Sequence, residues 1–171
     1  MALKLFSKET EMADNNNQAI VTPETLLAHW QGHRRLTRRV IEAFPEDKLF
    51  HYSLGGMRPF AEMVREFLRM TAPIARGVAT GEWISRDNLV LPESKAKVLE
   101  MWDEDTAELD RVWPTIPLRR FLQVDKAFGQ WESTGIGTIL YAIDNEIHHR
   151  GQGYVYLRSL GIEPPPFWER N

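Results

Sequence analysis

Four stretches of the chain repeat apolar residues at steps of three and four, the spacing that lines one face of an α-helix. The first opens at Thr22, a plausible N-cap, with Pro23 at the favoured first helical position. Leu26, Trp30, His33, Thr37, Val40 and Phe44 follow on one face, and Pro45 ends it. Residues 45–58, with Gly55 and Gly56, read as loop. The second helix is predicted over 59–78, with the stripe Phe60, Val64, Phe67, Thr71, Ile74 and Val78 and a kink at Pro73. A loop from Gly81 to Pro92 separates it from the third, which starts at Pro92 or Glu93 and ends at Val112. Leu99, Trp102, Thr106, Leu109 and Trp113 are its apolar stripe. Pro114 and Pro117 close it, and the long stretch 114–132 allows a crossover, a short strand or a turn. The fourth runs from Thr134 to Leu160, with Ser133 as N-cap and Gly161 as the glycine that stops it. Its stripe Ile136, Leu140, Ile143, Ile147 and Tyr154 reads as core, and the tail residues Phe167 and Trp168 as packing back on the bundle. No convincing alternating strand pattern stands out. The pattern therefore predicts an all-α protein, a four-helix bundle.

Composition narrows the chemistry. The 171 residues suit one domain, and 43% hydrophobic with 26% charged residues excludes wholesale disorder. Residues 1–20, ending in Asn15, Asn16, Asn17 and Gln18, read as a flexible N-terminal tail ahead of a single bundle domain over 21–171. A net charge of −3 argues against nucleic acid as a partner. With no apolar run of about 20 residues and no signal peptide pattern, neither a membrane span nor secretion is expected, and the location is read as cytoplasmic. There is no cysteine, so any metal must be held by histidine, carboxylate or amide oxygen.

The fourth helix carries a second stripe: Ala142, Asn145, His149, Gln152 and Tyr156. Asn145 and His149 stand four apart, close enough on one face to share a ligand, and a polar seam between helices is the alternative. On the second helix Glu66 is flanked by Met63 and Met70. It reads as a metal ligand, a general base or an ion-pair partner, or else as a surface glutamate beside Arg65 and Arg69. His148 points about 100° away from His149. His29 and His33 form another i, i+4 pair on the first helix, with His33 facing the core, where a hydrogen-bonded core histidine is the expectation. Arg34, Arg35, Arg38 and Arg39 read as a solvated basic face, with an anionic contact as the alternative.

The string His148-His149-Arg150-Gly151-Gln152, followed by Tyr156-Leu157-Arg158, Gly161 and Pro164-Pro165, resembles the C-terminal signature of the DinB/YfiT-like superfamily, the damage-inducible helical bundles. Met57-Arg58-Pro59-Phe60, Gly81-Glu82-Trp83 and Pro45-Glu46 add weaker matches, so the resemblance covers about residues 22–168. It implies a four-helix bundle with a crossover connection and a homodimer. It also implies a divalent metal held by three histidines, and relatives that act as thiol-dependent transferases or isomerases or as metal-dependent hydrolases in stress or detoxification. Carried onto this chain, the ligand positions are Glu66, Asn145 and His149, so one histidine of three stands in place. That set favours harder ions than an all-imidazole site and is weaker for zinc or nickel, with Mn²⁺ an alternative. Glu66 and His149 are the candidate catalytic pair, and a low-molecular-weight thiol the candidate cosubstrate, with Gln152 and Tyr156 as nearby polar contacts. His33 would supply a nitrogen ligand only if the first helix bordered the same cavity. The alternatives are a metal-assisted transferase or hydrolase acting on a small molecule, a metal-free Glu66–His149 couple, and a non-catalytic binding protein with a decayed site.

Overall fold

A computed structural model describes residues 20–171, so nearly all of the expected tail lies outside the described residues. Helix α1 spans Pro23–Ala43, and the Thr22 hydroxyl caps it by accepting from the Thr25 N–H at 3.2 Å. A short helix α2, Glu46–His51, forms where the sequence suggested loop, and buries Leu49. Helix α3, Phe60–Thr80, runs on through Pro73 and ends at Gly81, whose φ of 85° is the left-handed stop expected there. Helix α4, Lys95–Val112, begins after Ser94, two residues later than expected. A 3₁₀ turn, Trp113–Thr115, leads to the short helix α5, Leu118–Leu122, and to a hairpin of β1, Val124–Ala127, and β2, Trp131–Thr134. Helix α6, Gly135–Ser159, is capped by Thr134 rather than Ser133, its hydroxyl accepting from Gly137 N–H at 3.2 Å.

Helix α1 packs against α4 and α6, and α3 packs against the same two, so α1 and α3 face each other across the diagonal. The core is split into two apolar clusters. One holds Val40, Phe44, Phe60, Val64, Trp102 and Tyr156; the other holds Leu26, Trp30, Ile74, Leu109, Ile139 and Ile143. The order in which each helix visits them fixes its direction. Helices α1 and α6 run one way, and α3 and α4 the other. With α3 and α4 parallel, residues 81–94 must travel back along a helix about 30 Å long, which an extended segment of that size spans easily. Arg86 fastens this strap midway, donating to Leu68 O at 3.3 Å and to Asp105 Oδ1 at 2.8 Å. The crossover therefore lies between α3 and α4. The 114–132 stretch stays at one end of the bundle and folds into α5 and the hairpin.

Between the apolar clusters lies a buried polar layer that every long helix enters: His33, Arg34 and Thr37 from α1, Thr71 from α3, Asp105 from α4, and Glu146 and Arg150 from α6. The Arg34 guanidinium donates to Thr71 Oγ1 at 3.0 Å, Thr106 Oγ1 at 2.7 Å and Trp102 O at 3.0 Å, and stacks 3.6 Å from the centre of the Trp102 ring. It also pairs with Asp105 at 3.2 Å. Arg34 thus leaves the expected basic face, because it falls one turn after buried Trp30. Of the other three, Arg38 pairs with Asp103 and Glu42, and Arg35 and Arg39 bond the backbone of Arg170 and Glu169. These side chains are engaged rather than free. Phe167 and Trp168 do not pack back, being 63% and 67% exposed; it is Glu169 and Arg170 that lie on α1.

Helix α6 turns about its axis relative to the expected stripe. Leu140 and Ile147 are exposed, while Ile139, Ala142, Ile143, Glu146, Arg150, Gly153, Tyr156 and Leu157 face inward. Gly153 lets the Phe60 ring lie on the helix backbone, since a Cβ there would stand 2.6 Å from it. Gly153→Ala is expected to cost about 1–3 kcal/mol through displacement of that ring, measured by urea denaturation. A variant as stable as the parent would show that Phe60 moves freely.

Candidate functional site

Glu66, Asn145 and His149 come together on the face where α3 meets α6. Asn145 and His149 are one turn apart on α6, and Glu66 is in the first half of α3. Asn145 Nδ2 donates to Glu66 Oε1 at 2.9 Å, and His149 Nε2 lies 3.4 Å from the same oxygen. Gln152, one turn after His149, places its Oε1 2.7 Å from His149 Nδ1. The Gln152 oxygen can accept a proton from Nδ1, which orients the ring with Nε2 towards Glu66.

A fourth residue completes the cluster. Arg58 donates from one guanidinium nitrogen to Glu66 Oε2 at 2.7 Å and sets the other 3.4 Å from His149 Nε2. Its own carbonyl accepts from the Tyr156 hydroxyl at 2.9 Å, which pins the segment just ahead of α3. Tyr156 is fully buried and acts through this bond. Arg58 lies outside the helical pattern, so no periodicity pointed to it. The available signal was its place in Met57-Arg58-Pro59-Phe60, immediately before a proline that starts a helix.

Burial pushes the Glu66 carboxyl up, but hydrogen bonds from Asn145 and Arg58 and the charges of Arg58 and His149 outweigh it. The group is held below its ordinary 4.5 and is ionised at neutral pH. Arg65 and Arg69, suggested as its surface neighbours, pair instead with Glu62 and Asp87. As they stand, Glu66, Asn145 and His149 do not fit a divalent cation. Asn145 turns its amide NH₂ to the carboxylate, and the Arg58 guanidinium puts a positive charge against both remaining donors. Among the described residues no group of three or more His, Cys, Asp or Glu side chains is arranged to hold a metal.

The other histidines stand apart from this cluster. His148 is exposed, with its ring 4.9 Å from that of His149. His29 and His33 meet edge to face, and His33 is buried with Nδ1 2.9 Å from Arg150 and Nε2 3.0 Å from Arg170. Its nitrogens are committed to the polar layer, as expected of a core histidine.

Glu66 also lines a cavity of about 690 Å³ that opens between α3, α6, the strap and the hairpin. Arg69, Asp87, Phe128, Trp131 and Tyr141 are among its lining residues. The hairpin tip is a tight turn closed by Gln130 N–H to Ala127 O at 3.0 Å, with Phe128 at φ 51° and Gly129 at φ 69°. Among the described residues Phe128 is the one non-glycine residue in the left-handed region. The turn puts its ring against Trp83 and Trp131, at 5.4 and 6.3 Å between centres. The sequence reading missed this pocket because the hairpin carried no strand pattern.

A model of the DinB family matches residues 12–170. This chain belongs to the DinB family. Among its DinB relatives, an uncharacterised protein of Bacillus subtilis (strain 168), YjoA, is 24% identical over 147 residues, which cover 85% of this chain and 95% of YjoA. The crystal structure of YjoA, described as a DinB-like protein, aligns with a TM-score of 0.71 and 18% identity, covering 85% of this chain and 99% of that one. A DinB-like protein from Bacillus cereus ATCC 10987 aligns with a TM-score of 0.69 and 15% identity, over 84% and 95% of the two chains. At these identities the structures show a shared DinB fold, and the all-α bundle reading holds. Among the described residues no helix is long and apolar enough to cross a membrane.

Proposed function

We propose that this DinB protein binds a small molecule in the cavity beside Glu66, and that its own Arg58 takes the place a metal cation occupies in relatives with three histidines. The observation that carries this reading is the guanidinium on Glu66 Oε2 and beside His149 Nε2. It neutralises the carboxylate, so the cluster needs no external cation to offset that buried charge. Glu66 carries this cluster to the edge of the cavity. Met70, Ile74, Phe128 and Trp131 supply much of the remaining lining, the mainly apolar make-up usual in a ligand pocket.

One observation favours a second reading, a metal-assisted transferase or hydrolase. Asn145 Oδ1 is buried without a hydrogen-bond partner, and the Arg58 side chain that would have to leave is half-exposed. Glu66, Asn145 and His149 would then be the ligands, and a metal bound there would acidify a thiol or a water.

Calorimetric titration of the untagged protein with Mn²⁺, Ni²⁺ and Zn²⁺ separates the two. The parent is expected to bind each only weakly, and Arg58→Ala to gain about tenfold or more in affinity as the competing positive charge leaves. Stoichiometric micromolar binding by the parent, lost in His149→Ala, would overturn the metal-free reading and establish the second.

A further inference from the structure

We infer that the cavity takes an organic cation, an alkylated or aryl-substituted ammonium whose charged head sits among the lining aromatic side chains and the two carboxylates. The inference rests on the proposed small-molecule site and names its ligand class. Three observations support it. First, Phe128, Trp131 and Tyr141 all line the cavity, Phe128 and Trp131 with their rings in contact, and an aromatic face is negative, so it attracts a cation. Among the described residues the guanidiniums stacked on rings are Arg34 over Trp102 and Arg158 over Tyr154, neither of them in the cavity.

Second, the guanidiniums at the cavity are already engaged. Glu66 and Asp87 are the lining carboxylates and Arg69 the single lining cation, with Arg58 set on Glu66 from outside the lining. Hydrogen bonds from Ser85 and Arg69 hold the Asp87 carboxyl below its ordinary range, so it is ionised. Arg69 is already engaged by Asp87, and Arg58 by Glu66, so an anionic ligand would have to compete with a carboxylate for each guanidinium. A cation meets the carboxylate lone pairs that these bonds leave open.

Third, the hairpin holds Phe128 in a backbone conformation that L-residues avoid, at a turn position where asparagine, aspartate or glycine is ordinarily favoured. The side chain so placed joins the cavity wall. Strain of this kind gathers at ligand-binding positions.

The test uses three probes of similar shape: benzyltrimethylammonium, its neutral carbon isostere neopentylbenzene, and phenylacetate as an anion. Binding is read from the ¹H–¹⁵N resonances of the cavity residues in a spectrum of the full chain, the Trp131 indole N–H among them wherever that tryptophan is kept. Benzyltrimethylammonium is expected to bind about tenfold or more tightly than either other probe. Trp131→Leu and Asp87→Asn are both exposed substitutions that leave the bundle intact. Each is expected to reduce the preference for the cation, and Trp131→Leu to spare binding of the neutral isostere. Phe128→Asn suits the turn better than phenylalanine, so it is expected to fold at least as stably while losing the cation. If the neutral or anionic probe shifts Trp131 with equal or greater affinity, the ligand class is wrong and the small-molecule site stands. If no probe perturbs any cavity resonance at millimolar concentration, the inference fails; if a fragment library then also leaves the cavity silent, the proposed site fails with it.

Discussion

Arg34→Ala is expected to destabilise the protein by about 3–5 kcal/mol, enough to unfold many domains of this size. The guanidinium reaches α3 through Thr71 and α4 through Trp102 O, Thr106 and Asp105, so one side chain ties three helices together at the bundle centre. Removing it opens a void beneath the Trp102 ring and leaves the buried Asp105 carboxylate with Arg86 as its remaining cation. Arg38 is the control. It lies on the same helix and has carboxylate partners, Asp103 and Glu42, but its side chain is one-third exposed. Its replacement by alanine is expected to cost about 1 kcal/mol or less, because exposed ion pairs contribute little. The double variant Arg34→Met/Asp105→Leu, which replaces the pair by apolar groups, should recover much of the loss. Urea midpoints for the four proteins decide the matter; equal losses in Arg34→Ala and Arg38→Ala would show that the layer adds nothing specific.

A second large effect is expected in acid. Burial, followed by the charges of Arg150, His29 and Arg170, depresses His33 from 6.5 to about 3. Both ring nitrogens face guanidiniums, so a second ring proton would bring three positive groups together. In the unfolded chain the same imidazole takes up its proton near 6.5. Between these values the unfolded state holds one more proton than the folded state, so stability falls as pH drops through that window, by up to about 1.4 kcal/mol per pH unit. Glu66, held low in the fold, adds a further loss below about 4.5. Burial pushes Asp105 and Glu146 up, against the neighbouring arginines, and these two work in the opposite direction. The informative quantity is therefore the difference between the parent and His33→Gln, which keeps an acceptor for Arg150 and cannot titrate. Above pH 7 the two should run in parallel; between pH 6.5 and 4.5 the parent should lose stability faster. Parallel curves throughout would show that the imidazole is protonated in the fold.

Much of the site could be read before the fold was seen, and the reason is local. Asn145 and His149 are one helical turn apart, and any helix through them puts them side by side. Glu66 needed only the correct pairing of two helices. The parts that could not be read depend on groups whose partners are distant in sequence. Arg34 looks like one of four surface arginines until Asp105 and Thr106 are brought against it. Glu146 and Arg150 lie in the inward stripe of α6, but as charged residues they break the apolar pattern, which Leu140 and Ile147 continue on an exposed face. Arg58 and Phe128 sit in turns, where neither period of secondary structure operates. The place of the crossover is not legible for a related reason: the length of the 114–132 connection allows a crossover, a short strand or a turn, and only the order of the two core clusters along each helix puts the crossover at 81–94.

The strap over residues 81–94 bears on how the bundle assembles. An up-and-down bundle can close by successive turns between neighbours, each zipping from its own loop. Here α3 and α4 start at the same end, so their contacts join residues far apart along the chain, and loop closure must precede the packing that rewards it. Folding should be slower than for a simple antiparallel bundle of the same length. Because closure cost grows only slowly with loop length, the outside of the strap is also where evolution can insert residues at little thermodynamic penalty. The cavity that the strap borders can therefore be reshaped without disturbing the helices that hold it.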